Sequence, residues 1–303
     1  MNGILILDKP SGITSAKALD KAKKVIGANK AGHTGTLDPF ATGVLTVCLN
    51  EATKLIPYLN ENIKEYEAVL KLGQRTDTLD LTGEVTQSVA KIDVPISEIQ
   101  RVINCYIGDT EQVPPDFSAV KIEGRRLYKY ARKKINVKKP KRKIHIEKIE
   151  ILDYYNPFIK ISVKCSKGTY IRSLADDIGA DLKVFAHLVE LKRVKSGVFC
   201  INSSYSLDDV QNGEYNLITM SEAISDIKSL FISKDNTFKI KSGITLRKGD
   251  LNSSSITEIN RDEVIKVLYE NNLICIAKSL VSLEDLVMMD DSEEIIKILR
   301  VFN

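Results

Sequence analysis

Apolar and polar residues along the chain follow patterns that divide it into short strands and amphipathic helices. The apolar run at residues 4–7 reads as a buried strand, closed by the breaker-rich turn Asp8-Lys9-Pro10-Ser11-Gly12. Ala18, Leu19, Ala22, Val25 and Ile26 then recur at helical spacing, with Thr14 or Ser15 placed to cap that helix and Gly27 to end it. Lys17, Lys21 and Lys24 share another face, which reads as solvated. A strand over residues 44–49 and a short helix over about 51–58 follow. Residues 64–73 alternate polar with apolar and predict a strand with one buried face, with Tyr66 near its start. A helix opens at Val94-Pro95-Ile96 and runs to about Tyr106, and residues 112–116 form a proline-broken loop. Residues 118–122 and those after Glu123-Gly124 predict a hairpin leading into a short basic helix with Tyr128, Tyr130 and Arg132. Strands are expected over 142–155 and 159–165, then a helix with Arg172 at its start. A helix or apolar segment over 184–191 and a strand around 198–201 close this larger unit. Beyond residues 220–232 the alternating stretches 237–240, 273–277 and 295–302, with Gly243 and Gly249 as turns, predict a small sheet or barrel.

One stretch fits neither period. Gly32-His33-Thr34-Gly35-Thr36-Leu37-Asp38-Pro39, continued by Phe40-Ala41-Thr42-Gly43, is too rich in glycine and threonine for a helix or strand and predicts a shaped loop. Pro39 pushes Asp38 toward an extended conformation, so Asp38 is a carboxylate on a stiff loop. Such a group can cap a helix, bind a metal, or act as nucleophile or base, and Asp-Pro equally forms a plain structural turn. In the loop Arg75 to Gly83, Asp77, Asp80 and Arg75 can brace one another or a ligand, and Asp77 and Asp80 can equally cap their own turn. Arg172 at a helix start stands against the macrodipole, which fits either a buried carboxylate or a phosphate as its partner, or a simple surface arginine. Tyr66 fits either a half-buried strand position or a catalytic one.

The 303 residues suffice for a large domain with a small one, and 43% hydrophobic with 28% charged residues is a globular composition. No repeat, signal peptide or bilayer-length apolar run is present, which places the protein in the cytoplasm. The scattered Cys48, Cys105, Cys165, Cys200 and Cys275 sit in or beside apolar runs and read as buried thiols. His33, His145 and His187 lie far apart, so no metal site is expected. The net charge of +4 hides an asymmetry: residues 1–210 hold 33 basic against 25 acidic side chains, and the remainder 11 against 15. Residues 121–167 alone hold 16 basic and 4 acidic side chains, with tyrosines interleaved. That density suits a phosphate backbone, and the aromatic faces suit unpaired bases.

Five motifs in order carry a resemblance: Leu7-Asp8-Lys9-Pro10 with Gly12 and Ser15; Gly32 to Gly43; Lys64-x-Tyr66; Arg75-Thr76-Asp77-Thr78-x-Asp80-x-x-Gly83; and Gly168-Thr169-Tyr170-Ile171-Arg172. Together they identify the chain as resembling the TruB family of bacterial tRNA pseudouridine-55 synthases, over nearly its whole length. The resemblance implies an α+β fold, with a mixed and largely antiparallel sheet flanked by helices and a cleft across it. A catalytic domain over 1–225, with a basic arm at about 118–143, precedes a small β-rich PUA-like domain over 232–303. It implies isomerisation of a T-loop uridine of tRNA to pseudouridine on a flipped-out base, with no cofactor, no metal, no protein partner and a monomeric enzyme. The absence of a Gly-x-x-x-x-Gly-Lys-Ser/Thr loop and of a Gly-x-Gly-x-x-Gly fingerprint agrees with chemistry that needs neither ATP nor redox. By similarity Asp38 is the catalytic carboxylate, attacking base or sugar, and Arg172 pairs with it. Tyr66 stacks on the base and takes a proton from carbon. His33 fills the vacated position, Tyr170 and Leu191 wall the pocket, and Gly35, Thr36 and Leu37 line it. Asp80 orders the neighbouring loop, while Lys9 and Pro10 support the catalytic loop from below. Arg125, Arg126, Lys129, Arg132, Lys138, Lys139 and Lys141 are the expected RNA-backbone contacts. The basic run 133–143 is heavier than a minimal enzyme needs, and the acidic C-terminal unit is a poor electrostatic match for RNA. A non-catalytic RNA chaperone that refolds the tRNA elbow, and an enzyme acting on ribosomal RNA or within a guide-RNA complex, are the competing readings.

Overall fold

The computed structural model describes residues 1–122, 124–133, 135, 137–251 and 259–303. Glu123 in the turn of the basic hairpin and Lys134 of the basic run lie outside the described residues. The larger sheet runs in the order Gly3–Lys9, Thr42–Leu49, Ala186–Ser196, Ile63–Leu72, Phe158–Ser166, Arg142–Tyr155, Gly108–Gln112, with Ala31–Thr34 added to the second strand and Phe199–Cys200 to the third. All of these pairings are antiparallel except one. Ala186–Ser196 meets Thr42–Leu49 in parallel, through Lys192 opposite Thr42 and Arg193 opposite Gly43. This seam divides the sheet into two halves. Gly43 is what lets them close: its φ is 99°, and a Cβ there would overlap the backbone carbonyl of Arg193.

The burial of each half explains the sequence pattern. In Gly3–Lys9, Leu5 and Leu7 pack with Ala18, Leu19 and Ala22 of the helix Ser15–Ile26. Ile4 and Ile6 pack on the other side with Ala52, Leu55, Leu273, Ile276 and Phe302. Both faces are covered, so the strand reads as a continuous apolar run. Ile63–Leu72 buries its alternate residues more deeply than the ones between, and reads as an alternation. The helix Ser15–Ile26 has the expected ends: the Thr14 side chain accepts from Lys17 N–H, and Gly27 adopts the left-handed conformation at φ 71°. The helices Ile96–Asn104 and Ile171–Asp181 pack Ile99, Val102, Ile171, Leu174 and Ile178 against the second half of the sheet.

Several expectations are corrected. Residues 184–191 contribute no helix; they enter the strand Ala186–Ser196, whose bulges between Leu188 and Glu190 and between Arg193 and Lys195 erase the period of two. The strand around 198–201 is only Phe199–Cys200, followed by a turn of 3-10 helix. His33 and its neighbours leave the loop, because Ala31–Thr34 pairs along Thr42–Leu49. The helix near 51–58 is a 3-10 helix, Asn50–Tyr58. Gly108–Gln112 was invisible to periodicity because this edge strand carries hardly any apolar residue. Cys105 is exposed and Cys200 half-buried, while Cys48, Cys165 and Cys275 are buried thiols.

A second sheet, Ser229–Phe231, Val264–Tyr269, Asn272–Ser279 and Ile296–Val301, forms the C-terminal unit with the helices Lys234–Lys241 and Leu283–Met288. The expected strand at 237–240 is thus a helix, capped by Ser233, since four alternating residues are too few to distinguish the periods. Leu268, Leu273, Ile276 and Phe302 share a core with the larger sheet. No helix among the described residues is long and apolar enough to cross a membrane. The seam makes a stability prediction. Gly43→Ala should lower unfolding free energy by about 3 kcal/mol or more, combining left-handed strain with backbone overlap. Gly12→Ala, at φ 83° in open space, should cost only about 1 to 2 kcal/mol. Denaturant titration compares the two, and equal losses would contradict the role given to Gly43.

Candidate active site

The loop that carries Asp38 is tied down by residues of the first strand and helix. The Lys9 amine, fully buried, donates to the carbonyls of Pro10 at 2.8 Å, Ile13 at 2.8 Å and Pro39 at 3.2 Å. Burial pushes that amine down to about 8, against the opposing charge of Asp38. The Ser15 hydroxyl donates to Leu37 C=O at 3.0 Å and accepts from Leu37 N–H at 2.8 Å. Ser11 donates to Phe40 C=O at 2.8 Å, and Gly12 N–H to Pro39 C=O at 2.9 Å. The loop backbone is therefore gripped on both sides of Asp38.

Arg172, the second residue of its helix and 3% exposed, meets this carboxylate. Its Nη2 donates to Asp38 Oδ1 at 2.9 Å, and Nε lies 2.9 Å from Oδ2 with its N–H aimed elsewhere. The rest of the guanidinium is held by Thr78 C=O and Phe117 C=O, both at 3.0 Å, and by Asp80 Oδ2 at 3.4 Å from Nη1. Asp80 in turn accepts from the Thr78 hydroxyl at 2.7 Å, Thr82 N–H at 2.9 Å and the Thr82 hydroxyl at 2.6 Å. It stands behind Arg172 and does not line the cleft. Carboxylates and carbonyls around one buried guanidinium offset its unfavourable place at a helix N-terminus. Burial raises the Asp38 carboxyl above its ordinary value, while the charge of Arg172 pulls it down.

Asp38 opens on a cleft of about 280 Å³. Gly35, Thr36 and Leu37 form one side, Tyr66 and Leu191 the floor strands, and Tyr170 with Arg172 another wall. Phe117, Ser118 and Ala119, where the basic arm begins, complete it. Tyr66 is 7% exposed, and burial raises its phenol above the usual range. Gln112 reads the backbone of Tyr170 from both ends, its amide donating to C=O at 3.0 Å and accepting from N–H at 2.8 Å. His33 does not line the cleft; it faces Val47 across the strand pair, and burial lowers its pKa.

Three contributors went unassigned in the sequence. Arg193, 1% exposed, lies directly across from Tyr66 and donates from Nε to Val44 C=O and from Nη2 to Gly35 C=O, each at 2.8 Å. Lys64 lines the cleft on the Tyr66 strand. Its spacing of two from Tyr66, like that of Arg193 from Leu191, was the available signal. Gln112 had none, since its partner lies 58 residues away in the chain. Of the arm residues, Arg125, Arg126, Lys129, Arg132, Lys138 and Lys141 are exposed, with Arg132 over the Tyr128 ring at 5.5 Å. Lys139 is half-buried against Asp116 at 2.9 Å, and Lys141 lies 3.7 Å from Glu111. Among the described residues no group of His, Cys, Asp or Glu could hold a metal ion. A wider groove, about 1110 Å³, crosses the C-terminal unit between Lys239, Arg247 and Lys297, remote from Asp38.

Comparison with known proteins agrees with this geometry. The family model described as TruB family pseudouridylate synthase (N terminal domain) matches residues 23–171, and that of the tRNA pseudouridylate synthase B C-terminal domain matches 172–227. The small sheet lies beyond the matched residues. A tRNA pseudouridine synthase B of Geotalea uraniireducens is 40% identical over 285 residues, 92% of each chain. That of Syntrophus aciditrophicus is 36% identical over 310 residues, 100% of this chain and 99% of the relative. Among solved structures, a Cbf5-Nop10-Gar1 complex contains a chain of the same fold, with TM-score 0.71 and 26% identity, covering 99% of this chain and 84% of that one. An H/ACA RNP bound to a substrate RNA containing 2'-deoxyuridine shares the fold with TM-score 0.72 at 24% identity, over 99% of this chain and 85% of that one. With whole-length relatives at this identity around a cleft built on paired Asp38 and Arg172, the chain belongs to the TruB family of pseudouridylate synthases, enzymes that modify tRNA.

Proposed function

We propose that this protein converts uridine-55 in the T-loop of tRNA to pseudouridine in the cytoplasm, with Asp38 as the nucleophile on a flipped-out base. The observation that carries the proposal is the clamped pair of Asp38 and Arg172 at a cleft floored by Tyr66. A T-loop uridine is stacked in folded RNA, and extruding it costs a few kcal/mol. The exposed cations of the arm continue from the cleft wall at Phe117–Ala119 and supply backbone contacts to offset that cost. The same contacts would let the protein open and refold the tRNA elbow as a chaperone. Once the base is seated, Tyr66 stacks on it, Tyr170 and Leu191 confine it, and ionised Asp38 attacks base or sugar. Tyr66 is held neutral by burial, so it stacks first; the positive charge of Arg193 beside it favours the phenolate needed to take the proton from C5. The relatives at 36–40% identity are named for tRNA, which favours tRNA over the RNP substrates of the more distant fold relatives.

Pseudouridine formation on an unmodified tRNA transcript tests the assignment. Asp38→Asn should bind normally and lose at least about a thousandfold in rate. Binding and refolding without conversion by either protein would leave only the chaperone. For pH, the folded carboxyl lies above its ordinary value, so Asp38 loses its charge, and the enzyme its rate, as pH falls through that raised value. Arg172→Gln removes the main opposing influence and should move the acid limb of the rate profile to higher pH; an unmoved limb would separate Arg172 from the charge state of Asp38. Replacing Lys138, Lys139 and Lys141 with alanine should weaken tRNA binding and reduce the slope of log affinity against log salt by about 1 to 2, because Lys139 is already engaged by Asp116 and Lys141 lies near Glu111. Turnover at saturating tRNA should be retained. Unchanged affinity would remove this edge of the arm from the RNA path.

A further inference from the structure

Lys64 is the charged group of the cleft to which the chemistry above gives no task. It lies two residues from Tyr66 on the same face of the Ile63–Leu72 strand. It is 6% exposed, and its amine sits so close to Gly35 that a Cβ there would overlap it. Its ion-pair partner Glu61 is 3.5 Å away, and Glu61 also accepts a short hydrogen bond from the Thr34 hydroxyl. An ammonium carries three donors, so one long ion pair leaves capacity for an acceptor in the cleft. Arg193 adds positive charge beside it, but Nε and Nη2 of Arg193 are committed to the Val44 and Gly35 carbonyls. Burial pushes the Lys64 amine down to about 8, which leaves it charged at neutral pH.

We propose that Lys64 is a catalytic cation that stabilises the negative charge developing on uracil while the base is detached from the ribose. The inference rests on the reading that this cleft receives the target base. Either route makes the base anionic. If Asp38 attacks the sugar, the N1–C1′ bond breaks and its electron pair stays on the ring. If Asp38 adds to C6, the electrons move to the C4 carbonyl oxygen. The cycle ends when C5 bonds to C1′, C5 gives up its proton and N1 takes one up, so no electrons are gained or lost overall. Lys64 stays protonated throughout and donates to a uracil carbonyl oxygen. In the detached uracil anion the charge is spread over both carbonyls, so on that route one fixed cation serves the base before and after it turns. In a water-poor cleft such a donor acts on the transition state without reorganising.

The experiment measures single-turnover pseudouridine formation and tRNA affinity for wild type, Asp38→Asn, Lys64→Met, Lys64→Arg and the double variant Glu61→Gln/Lys64→Met. Conversion by wild type but not by Asp38→Asn upholds the underlying reading by itself. On that background Lys64→Met and the double variant should both lose about 100-fold or more in rate with affinity retained. Lys64→Arg should recover part of the loss. The double variant matters because Lys64→Met strands a buried carboxylate and can fail to fold for that reason alone. A double variant that regains the wild-type rate would trace the loss to Glu61 and overturn the proposal. So would a full rate in Lys64→Met, or a loss confined to tRNA affinity.

Discussion

Two backbone pairings, Lys192 with Thr42 and Arg193 with Gly43, join the halves of the larger sheet, and the cleft at Asp38 lies on that seam. A parallel contact this short carries little ladder energy by itself. It is held by Arg193, whose guanidinium bonds to Val44 on one half-sheet and to Gly35 in the catalytic loop, while its backbone pairs with Tyr66 on the other half. The Asp38 loop, Tyr66 and the Arg193 guanidinium thus come from separate chain segments and meet at one residue. Rigid strands on both sides limit how far the site can drift, and small displacements of reacting groups are costly in rate.

The site also concentrates charge where solvation is poor. Lys64 pairs with Glu61 and Arg172 with Asp38 and Asp80, while Lys9 and Arg193 bond to backbone carbonyls, and each of the four cations is at least nine-tenths buried. Buried ion pairs seldom stabilise a fold, because desolvation offsets their attraction. Dipoles and charges already in place in this way need not reorganise during a reaction. The network is also well supplied with backbone acceptors, three for Lys9 and two each for Arg172 and Arg193. Loop carbonyls therefore share the task of keeping these cations in place, which links loop shape to site electrostatics.

Periphery and centre differ in how their charge is used. The exposed cations of the arm face solvent, where charge interactions are long-range and screened by salt. Lys139 and Lys141 approach Asp116 and Glu111, so part of the arm is anchored to the body beside the cleft. The C-terminal unit shares its core with the first strand through Phe302, Leu273 and Ile276, which makes it a support beneath the half-sheet that grips the Asp38 loop.

Much of this was legible in one dimension because its causes are local. The run at residues 4–7, the alternation over 64–72 and the Thr14 and Gly27 caps each follow from burial or backbone geometry within a few residues. Asp38, Tyr66 and Arg172 were singled out by resemblance, and Arg172 also by its place against a helix dipole; the fold brings all three to one cleft. Tertiary structure alone decided what depends on distant partners. Ala186–Ser196 is a strand because two neighbours flank it, and its bulges hide that fact from any periodic pattern. Gln112 acquires meaning only beside Tyr170, and Arg193 only where two half-sheets meet. Lys64 meets Gly35 and Glu61 only because the fold brings residues from separate chain segments into one small space.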